Sequence, residues 1–258
     1  MINKSKIILP SDDEDVKLTL MKACDLYTKA EFAGKAFYTK FLSPLEARVI
    51  EHRFPKADVS TKFFGGYDGS ERCVCAFYTY SEDLAFPISA LKVKSKSKNS
   101  TLSHRDYLGS VLSLGIKREL VGDIVVKDGE AIIFCLSEIA DYIADSLTKI
   151  ANTGVSIKKE ENIGDLGIKR DYDIISSTVS SLRCDSIVAS ALNLSRAKAA
   201  ELIERGYVNL NYEQAKSVSQ NIKNEDVLSV RGYGKFSVQT DGTLTRKGRI
   251  HVNILKYK

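Results

Sequence analysis

Ser195-Arg196-Ala197-Lys198-Ala199-Ala200-Glu201-Leu202-Ile203-Glu204-Arg205-Gly206 is a helix written from start to stop. A serine stands where an N-cap accepts a backbone N–H, and strong helix formers follow it. Ala199, Leu202 and Ile203 make one apolar seam, and Gly206 sits where a left-handed C-terminal cap belongs. Just upstream, Ile187, Val188, Ala191 and Leu192 recur on one face of a shorter helix over 185–192. Downstream, Val208, Leu210, an Asn211-Tyr212 turn, Val227-Leu228-Ser229-Val230 and Phe236-Ser237-Val238 alternate as half-buried strands do. The pattern predicts two helices on a small curled sheet.

The side chains left outside carry the chemistry. Arg196 and Lys198 occupy the first turn of the second helix, where unpaired N–H groups and the helix dipole favour an anion. Helix stability alone would place acids there. Arg183, ahead of the first helix, adds a third cation if the two helices pack as a hairpin. Arginine grips phosphate bidentately, and the 2′-hydroxyl is open to neighbouring donors, so a bent RNA backbone suits the cluster. A solvated basic face is the competing reading.

The order Arg183, Asp185, Ser195-Arg196, Ala199, Ile203, Gly206, Val208, Leu210-Asn211, Asp226-Val227-Leu228 and Val230 resembles the RNA-binding domain named after small-subunit ribosomal protein S-four. Most such domains have Asn-Gly where this chain has Asn211-Tyr212. That aromatic residue, with Arg231-Gly232-Tyr233-Gly234-Lys235 after it, is similar to the YlmH-type subfamily. The resemblance implies an RNA-binding set of Arg183, Ser195, Arg196, Lys198, Arg205, Asn211, Tyr212, Arg231 and Lys235.

At 258 residues the chain is long enough for two or three small domains. Its apolar share of 43% and charged share of 28% are those of an ordinary globular protein. No apolar run reaches membrane-spanning length, and the patch after Met1-Ile2-Asn3-Lys4-Ser5-Lys6 is too short for a signal peptide, so no membrane partner and a cytoplasmic location are expected. Residues 183–258 hold 13 Lys+Arg against 7 Asp+Glu, while residues 1–182 hold 25 against 26. The basic surplus therefore belongs to the C-terminal end, where it favours a polyanionic partner. Cys24, Cys73, Cys75, Cys135 and Cys184 form no C-x-x-C pair and read as buried reduced thiols, without a metal site.

Toward the N-terminus, Asp12-Asp13-Glu14-Asp15 precedes a helix carrying Val16, Leu20, Cys24 and Tyr27, and the pattern extends through Phe32, Ala36 and Phe37 to Leu42. Ser43-Pro44-Leu45-Glu46 is a capping box that starts another helix, ending near Phe54-Pro55. Residues 59–64, a glycine-rich turn at 65–69 and residues 73–80 read as a hairpin.

The middle of the chain changes character. Lys92, Lys94, Lys96 and Lys98 alternate with Val93, Ser95 and Ser97, so a strand there carries its lysines on one face. Two readings compete: a guarded edge strand and a phosphate-tracking stripe. Ser103-His104-Arg105-Asp106 opens a helix that Gly115 ends, placing Arg105 near its start and Lys117 and Arg118 just beyond it. His104-Arg105-Asp106-Tyr107-Leu108-Gly109, Leu114-Gly115-Ile116-Lys117-Arg118-Glu119 and Gly122-Asp123-Ile124 are similar to the central RNA-binding domain of YlmH-type proteins. That adds Lys92, Lys94, Lys96, Arg105, Lys117 and Arg118 to the RNA-binding set. A strand over 131–136 follows, then a helix from Ser137 to about 152–154, then two extended runs around a turn at 163–167. Residues 249–256 form a terminal strand.

The expected class is α+β: an N-terminal α+β domain over 1–82, a central RNA-binding domain over 83–180 and an S-four-type domain over 181–258. His52, His104 and His251 stand apart from any nucleophile or ligand pattern, so no catalytic residue, cofactor or metal is expected. The resemblance implies a monomeric, non-enzymatic bacterial protein acting in ribosome-associated quality control, with ribosomal RNA, the large ribosomal subunit carrying peptidyl-tRNA, and tRNA as partners. The alternatives are an RNA-modifying enzyme anchored by the C-terminal module and an adaptor at the division site.

Overall fold

The computed structural model describes residues 3–9, 13–55, 58–80, 84–97, 102–127, 129–168 and 172–257. It is an α+β protein in two compact units, Met1–Ile168 and Lys169–Lys258.

The first unit opens with a one-turn helix α1 (Lys4–Ile7) and the long α2 (Glu14–Ala33). Asp13 caps α2 by accepting from the Asp15 N–H at 2.9 Å, and Glu14 and Asp15 complement its dipole; Asp12 lies outside the described residues. The periodic pattern that continues to Leu42 does not continue as helix. Gly34 adopts φ 62°, closes the last turn on the Ala30 carbonyl and frees the chain to form β1 (Phe37–Tyr38). α3 (Pro44–Arg53) starts at the expected capping box, with Ser43 and Glu46 bonding reciprocally. β2 (Ser60–Phe64) and β3 (Val74–Tyr78) form the expected hairpin, and the sheet runs β1-β3-β2. Leu20, Tyr27, Ile50, Phe54 and Phe77 meet in the core between this sheet and the helices.

The remaining elements of this unit build a five-stranded antiparallel sheet. They are β4 (Ile88–Ser95), α4 (His104–Leu112), β5 (Val121–Lys127), β6 (Glu130–Leu136), α5 (Ser137–Ser146), β7 (Lys149–Ile150) and β8 (Thr153–Glu160), ordered β5-β6-β4-β8-β7. β4 is the central strand, which removes the edge-guarding reading of its lysines. α5 is shorter than its sequence suggests: it ends at Ser146, because Lys149–Ile150 turns back to pair with Thr153–Gly154. Tyr107 and Val111 of α4 and Ala140 and Ile143 of α5 cover one face of the sheet, against Leu91, Val93 and Ile133.

The other face is half covered from within the same unit. Phe41 and Val74 pack on Ala90, Phe134 and Leu136. The glycine-rich turn is the contact point: a Cβ on Gly66, at φ 106°, would lie 2.2 Å from the Phe134 ring, and Tyr67 stacks on that ring at 5.2 Å. Asp123 fastens the same turn by accepting from Tyr67 Oη at 2.9 Å, Glu71 N at 2.7 Å and Arg72 N at 3.0 Å.

The second unit holds β9 (Tyr172–Val179), α6 (Cys184–Leu192), α7 (Arg196–Glu204), β10 (Val208–Leu210), β11 (Glu213–Gln214), β12 (Val227–Val230), β13 (Gly234–Gln239) and β14 (Ile250–Tyr257). The curled sheet is larger than the helix-and-strand pattern alone indicates, running β11-β10-β12-β13-β14-β9. β9, read from sequence as part of the segment joining the middle to the C-terminal domain, pairs with β14 along its whole length. Ile187, Val188, Ala199 and Ile203 pack the two helices onto Val208, Leu228, Phe236 and Ile254. Of the apolar seams, Ile187, Val188, Ala191, Ala199 and Ile203 are buried while Leu192 and Leu202 pack partly buried against the same core, and Gly206 takes φ 73° as its capping position requires.

Candidate nucleic-acid interface

Asp185 sits in the first turn of α6, with its side chain only 8% exposed. It receives two arginines: Arg183 through Nε at 3.1 Å and Nη2 at 3.3 Å, and Arg196 through Nη2 at 2.7 Å. Burial pushes the Asp185 carboxyl up, but the hydrogen bonds from Arg183 and Arg196 outweigh it and hold the group below its ordinary range. One buried carboxylate thus joins the residue before α6 to the first residue of α7. The arginines themselves remain open to solvent, Arg196 at 53%.

One turn along α7, Glu201 repeats the arrangement, receiving Arg205 at 2.6 Å and Lys198 at 3.9 Å. The Ser195 hydroxyl accepts the Lys198 N–H at 3.2 Å, so its lone pair serves the cap and fixes where the first turn points. Arg183, Arg196, Lys198 and Arg205 therefore lie about two carboxylates at one end and along one side of the helix pair. The sequence points out the cations; Asp185 and Glu201, which orient them, are legible only as ordinary helix acids.

The rest of the expected set divides. Asn211 and Tyr212, at φ 52° and 70°, make the two-residue turn from β10 to β11. The Asn211 amide donates to Asp226 at 2.8 Å and accepts from Val227 N at 3.0 Å, which ties the turn to β12. Tyr212 projects a ring toward Lys235, whose ammonium lies 4.6 Å from that ring and 5.0 Å from the ring of Tyr257. Arg231 lies over Tyr207 at 5.5 Å.

In the five-stranded sheet, Lys92 and Lys94 point away from α4 and share Glu130 on the neighbouring strand, at 2.9 and 2.7 Å. Lys158 is paired directly with Lys92 across β8, and Lys127 with Glu130 across β5. These two lysines, unremarked in the sequence, complete a basic half-face beside the half covered by Phe41 and Val74. Lys96 follows the end of β4 and Lys98 lies outside the described residues. Arg105 and Lys117 are exposed on the α4 side, so a track joining them to the lysines has to pass around the sheet. Arg118 is turned inward onto the carbonyls of Val121 and Gly122, where burial and the neighbouring Arg72 lower its pKa to about 10.

All five cysteines are free and buried. Burial pushes Cys73 and Cys135 up to about 12 and Cys24 and Cys184 up to about 11. No group of three or more His, Cys, Asp or Glu among the described residues could hold a metal ion. No helix among them is long and apolar enough to cross a membrane.

Three antiparallel sheets packed against helices, and a C-terminal helix junction presenting arginines from a buried acid, define an α+β protein. The family profile described as "Putative RNA-binding domain in YlmH" matches residues 81–164, which span the five-stranded sheet. Over 224 residues the chain is 33% identical to "Ribosome-associated protein quality control protein P2" of Bacillus subtilis (strain 168), covering 85% of this chain and 87% of that protein. Among solved structures, "Cell division protein ylmH from Streptococcus pneumoniae" is 25% identical with a TM-score of 0.49, covering 59% of this chain and 95% of its own. The chain belongs to the YlmH family.

Proposed function

We propose that this protein is a non-enzymatic RNA-binding protein that grips ribosomal RNA on the large ribosomal subunit carrying peptidyl-tRNA, in ribosome-associated quality control. The observation that carries the reading is the fork at Asp185, where one buried carboxylate holds Arg183 and Arg196 together beside the N-terminus of α7. Pre-set guanidinium groups next to unpaired helix N–H donors fit phosphate oxygens, and the ordering is complete before the ligand arrives. The name of the Bacillus subtilis relative supports the ribosomal setting.

In this reading Arg183, Arg196, Lys198 and Arg205 contact the backbone at the helix junction, Arg231, Tyr212 and Lys235 make further contacts from the sheet, and Ser195 and Asn211 hold the frame. The five-stranded sheet makes a second contact through Lys92, Lys94 and Lys96, with Arg105 and Lys117 reaching a separate strand. Two weak sites in one chain gain affinity through effective concentration. tRNA lies within the bound assembly.

The test is cosedimentation of the wild type and of Arg196→Ala/Lys198→Ala with separated ribosomal subunits, with and without peptidyl-tRNA, at two salt concentrations. Salt-sensitive binding to the large subunit that the double variant weakens is expected, with a salt slope shallower by about 2 for two lost phosphate contacts. Binding to neither subunit, or an unchanged slope in the variant, overturns the reading.

A further inference from the structure

The helices α6 and α7 cover one face of the six-stranded sheet; among the described residues of this unit no helix lies on the other, where Ile174, Ser176, Gln239 and Asn253 are exposed. Cross-strand register identifies its residues. One row runs Tyr172, Tyr257, Lys235, Ser229 and Asn209, the next Ile174, Leu255, Ser237 and Val227, the next Ser176, Asn253 and Gln239. No outward strand position in these rows carries a carboxylate, in a chain where 33 of 258 residues are Asp or Glu.

The face has two ends of different chemistry. At one end the rings of Tyr172 and Tyr257 meet at 5.1 Å, and the Lys235 ammonium bridges Tyr257 to Tyr212. Ring, ring, cation and ring follow one another across the sheet. At the other end an open groove of about 1050 Å³ is lined by hydroxyls and amides, among them Ser176, Thr178, Gln239 and Asn253. Two acids, Glu225 and Asp241, also line it from loops between strands, and the Asp241 carboxylate accepts the Thr243 N–H at 2.8 Å. Between the ends Ile174 is 66% exposed.

We propose that this open face binds unpaired RNA nucleotides, stacking bases on Tyr172, Tyr212 and Tyr257, meeting phosphate with Lys235, and taking base edges at Ser176, Gln239 and Asn253. The inference rests on the RNA-binding reading and assigns its Tyr212 and Lys235 to a second site in the same module, on the side away from the helix junction. Tyr172 and Tyr257 meet edge to face at 77°, and a ring face accepts a base only when that base has left its own stack, which excludes duplex and selects single-stranded or splayed nucleotides. The absence of carboxylates from the strand positions suits a polyanion. Neutral donors and acceptors in the groove match base edges and 2′-hydroxyls.

The experiment titrates the full chain with fluorescent decauridylate and with a blunt ten-base-pair RNA duplex, read by anisotropy. Tyr172→Leu/Tyr257→Leu keeps apolar bulk and removes stacking; Ile174→Glu places a carboxylate on the face at an exposed position and serves if the first variant fails to fold. Either variant should lose about tenfold in affinity for decauridylate, within the range for one lost base stack, and keep its affinity for duplex. Arg196→Ala/Lys198→Ala should lose affinity for duplex. The chain has no tryptophan, so its emission comes from its 12 tyrosines, and the part of it that decauridylate quenches should shrink in the leucine variant. If the wild type binds duplex and not decauridylate, or the folded variants bind decauridylate as the wild type does, the open-face site is refuted and the RNA-binding reading stands. Binding of neither RNA removes both. A wild-type dimer that Ile174→Glu converts to monomer assigns the face to a second copy of the chain and overturns the proposal.

Discussion

Replacing Asp185 by asparagine separates charge from position at the helix junction. The change removes one negative charge from a protein of net charge +5, so long-range electrostatics alone predicts tighter RNA binding. The geometry predicts the opposite, since Asp185 fixes Arg183 and Arg196 before the ligand arrives. Ordering one rotamer-rich side chain on binding costs roughly a factor of five in affinity, hence roughly twenty-five-fold for two. Loss of the carboxylate relieves repulsion of a phosphate about 7 Å away, which in water returns roughly a factor of three. A net weakening of about tenfold is expected, with the salt slope unchanged because both arginines still reach phosphate. The assay is anisotropy titration of a labelled RNA at four salt concentrations, with circular dichroism to establish that the variant is folded. Equal or tighter binding by the folded variant refutes positioning by Asp185 and leaves the arginines as simple charge. The same fork gives a pH signature. The folded carboxyl titrates below its ordinary value of 3.8, so the stability it contributes is complete above that pH and is lost as pH falls through the lowered pKa. Asp185→Asn should flatten that acid limb in a series of thermal melts.

Three further perturbations probe other parts of the molecule. Gly66→Ala puts a methyl group 2.2 Å from Phe134 at φ 106°, and should cost about 3 kcal/mol from overpacking and backbone strain, read by urea denaturation; a loss under about 0.5 kcal/mol means the turn gives way easily. Glu130→Gln frees Lys92 and Lys94 and should tighten RNA binding about threefold at low salt if the basic half-face lies on the RNA path; unchanged or weaker binding takes that face off the path. The five buried thiols should react with a disulfide reagent at pH 8 only as fast as the protein opens, and Cys73 and Cys135, pushed up to about 12, should form little thiolate even when reached; rapid labelling of the folded protein contradicts their burial.

The C-terminal helices, their caps and their apolar seams were readable because each is local. Ser195 and Gly206 lie within one helix length of the seam they bound, and 3.6-residue periodicity decides which face is buried. The capping boxes at Ser43 and Ser103 were readable for the same reason. Even local signals compete, however. The apolar period running to Leu42 suggested continuing helix, whereas Gly34 ends α2 because it takes φ 62° without a Cβ penalty. The family resemblance was also carried by short ordered motifs, and the match to residues 81–164 and to the Bacillus subtilis relative agrees with it.

What tertiary structure alone decided is which distant residues meet. Nothing in the order of residues says that β4 is central, that Lys158 lies beside Lys92, or that Arg118 turns inward while Lys117 stays out. Nor does local sequence show that one buried aspartate joins two arginines thirteen residues apart, or that β9 returns to pair with β14 and widens the open face. Helix periods, caps and turns depend on torsions and hydrogen bonds spanning a few residues, so the chain states them directly. Register between strands and the sharing of a carboxylate depend on contacts across long loops, and these are set only when the whole core is packed.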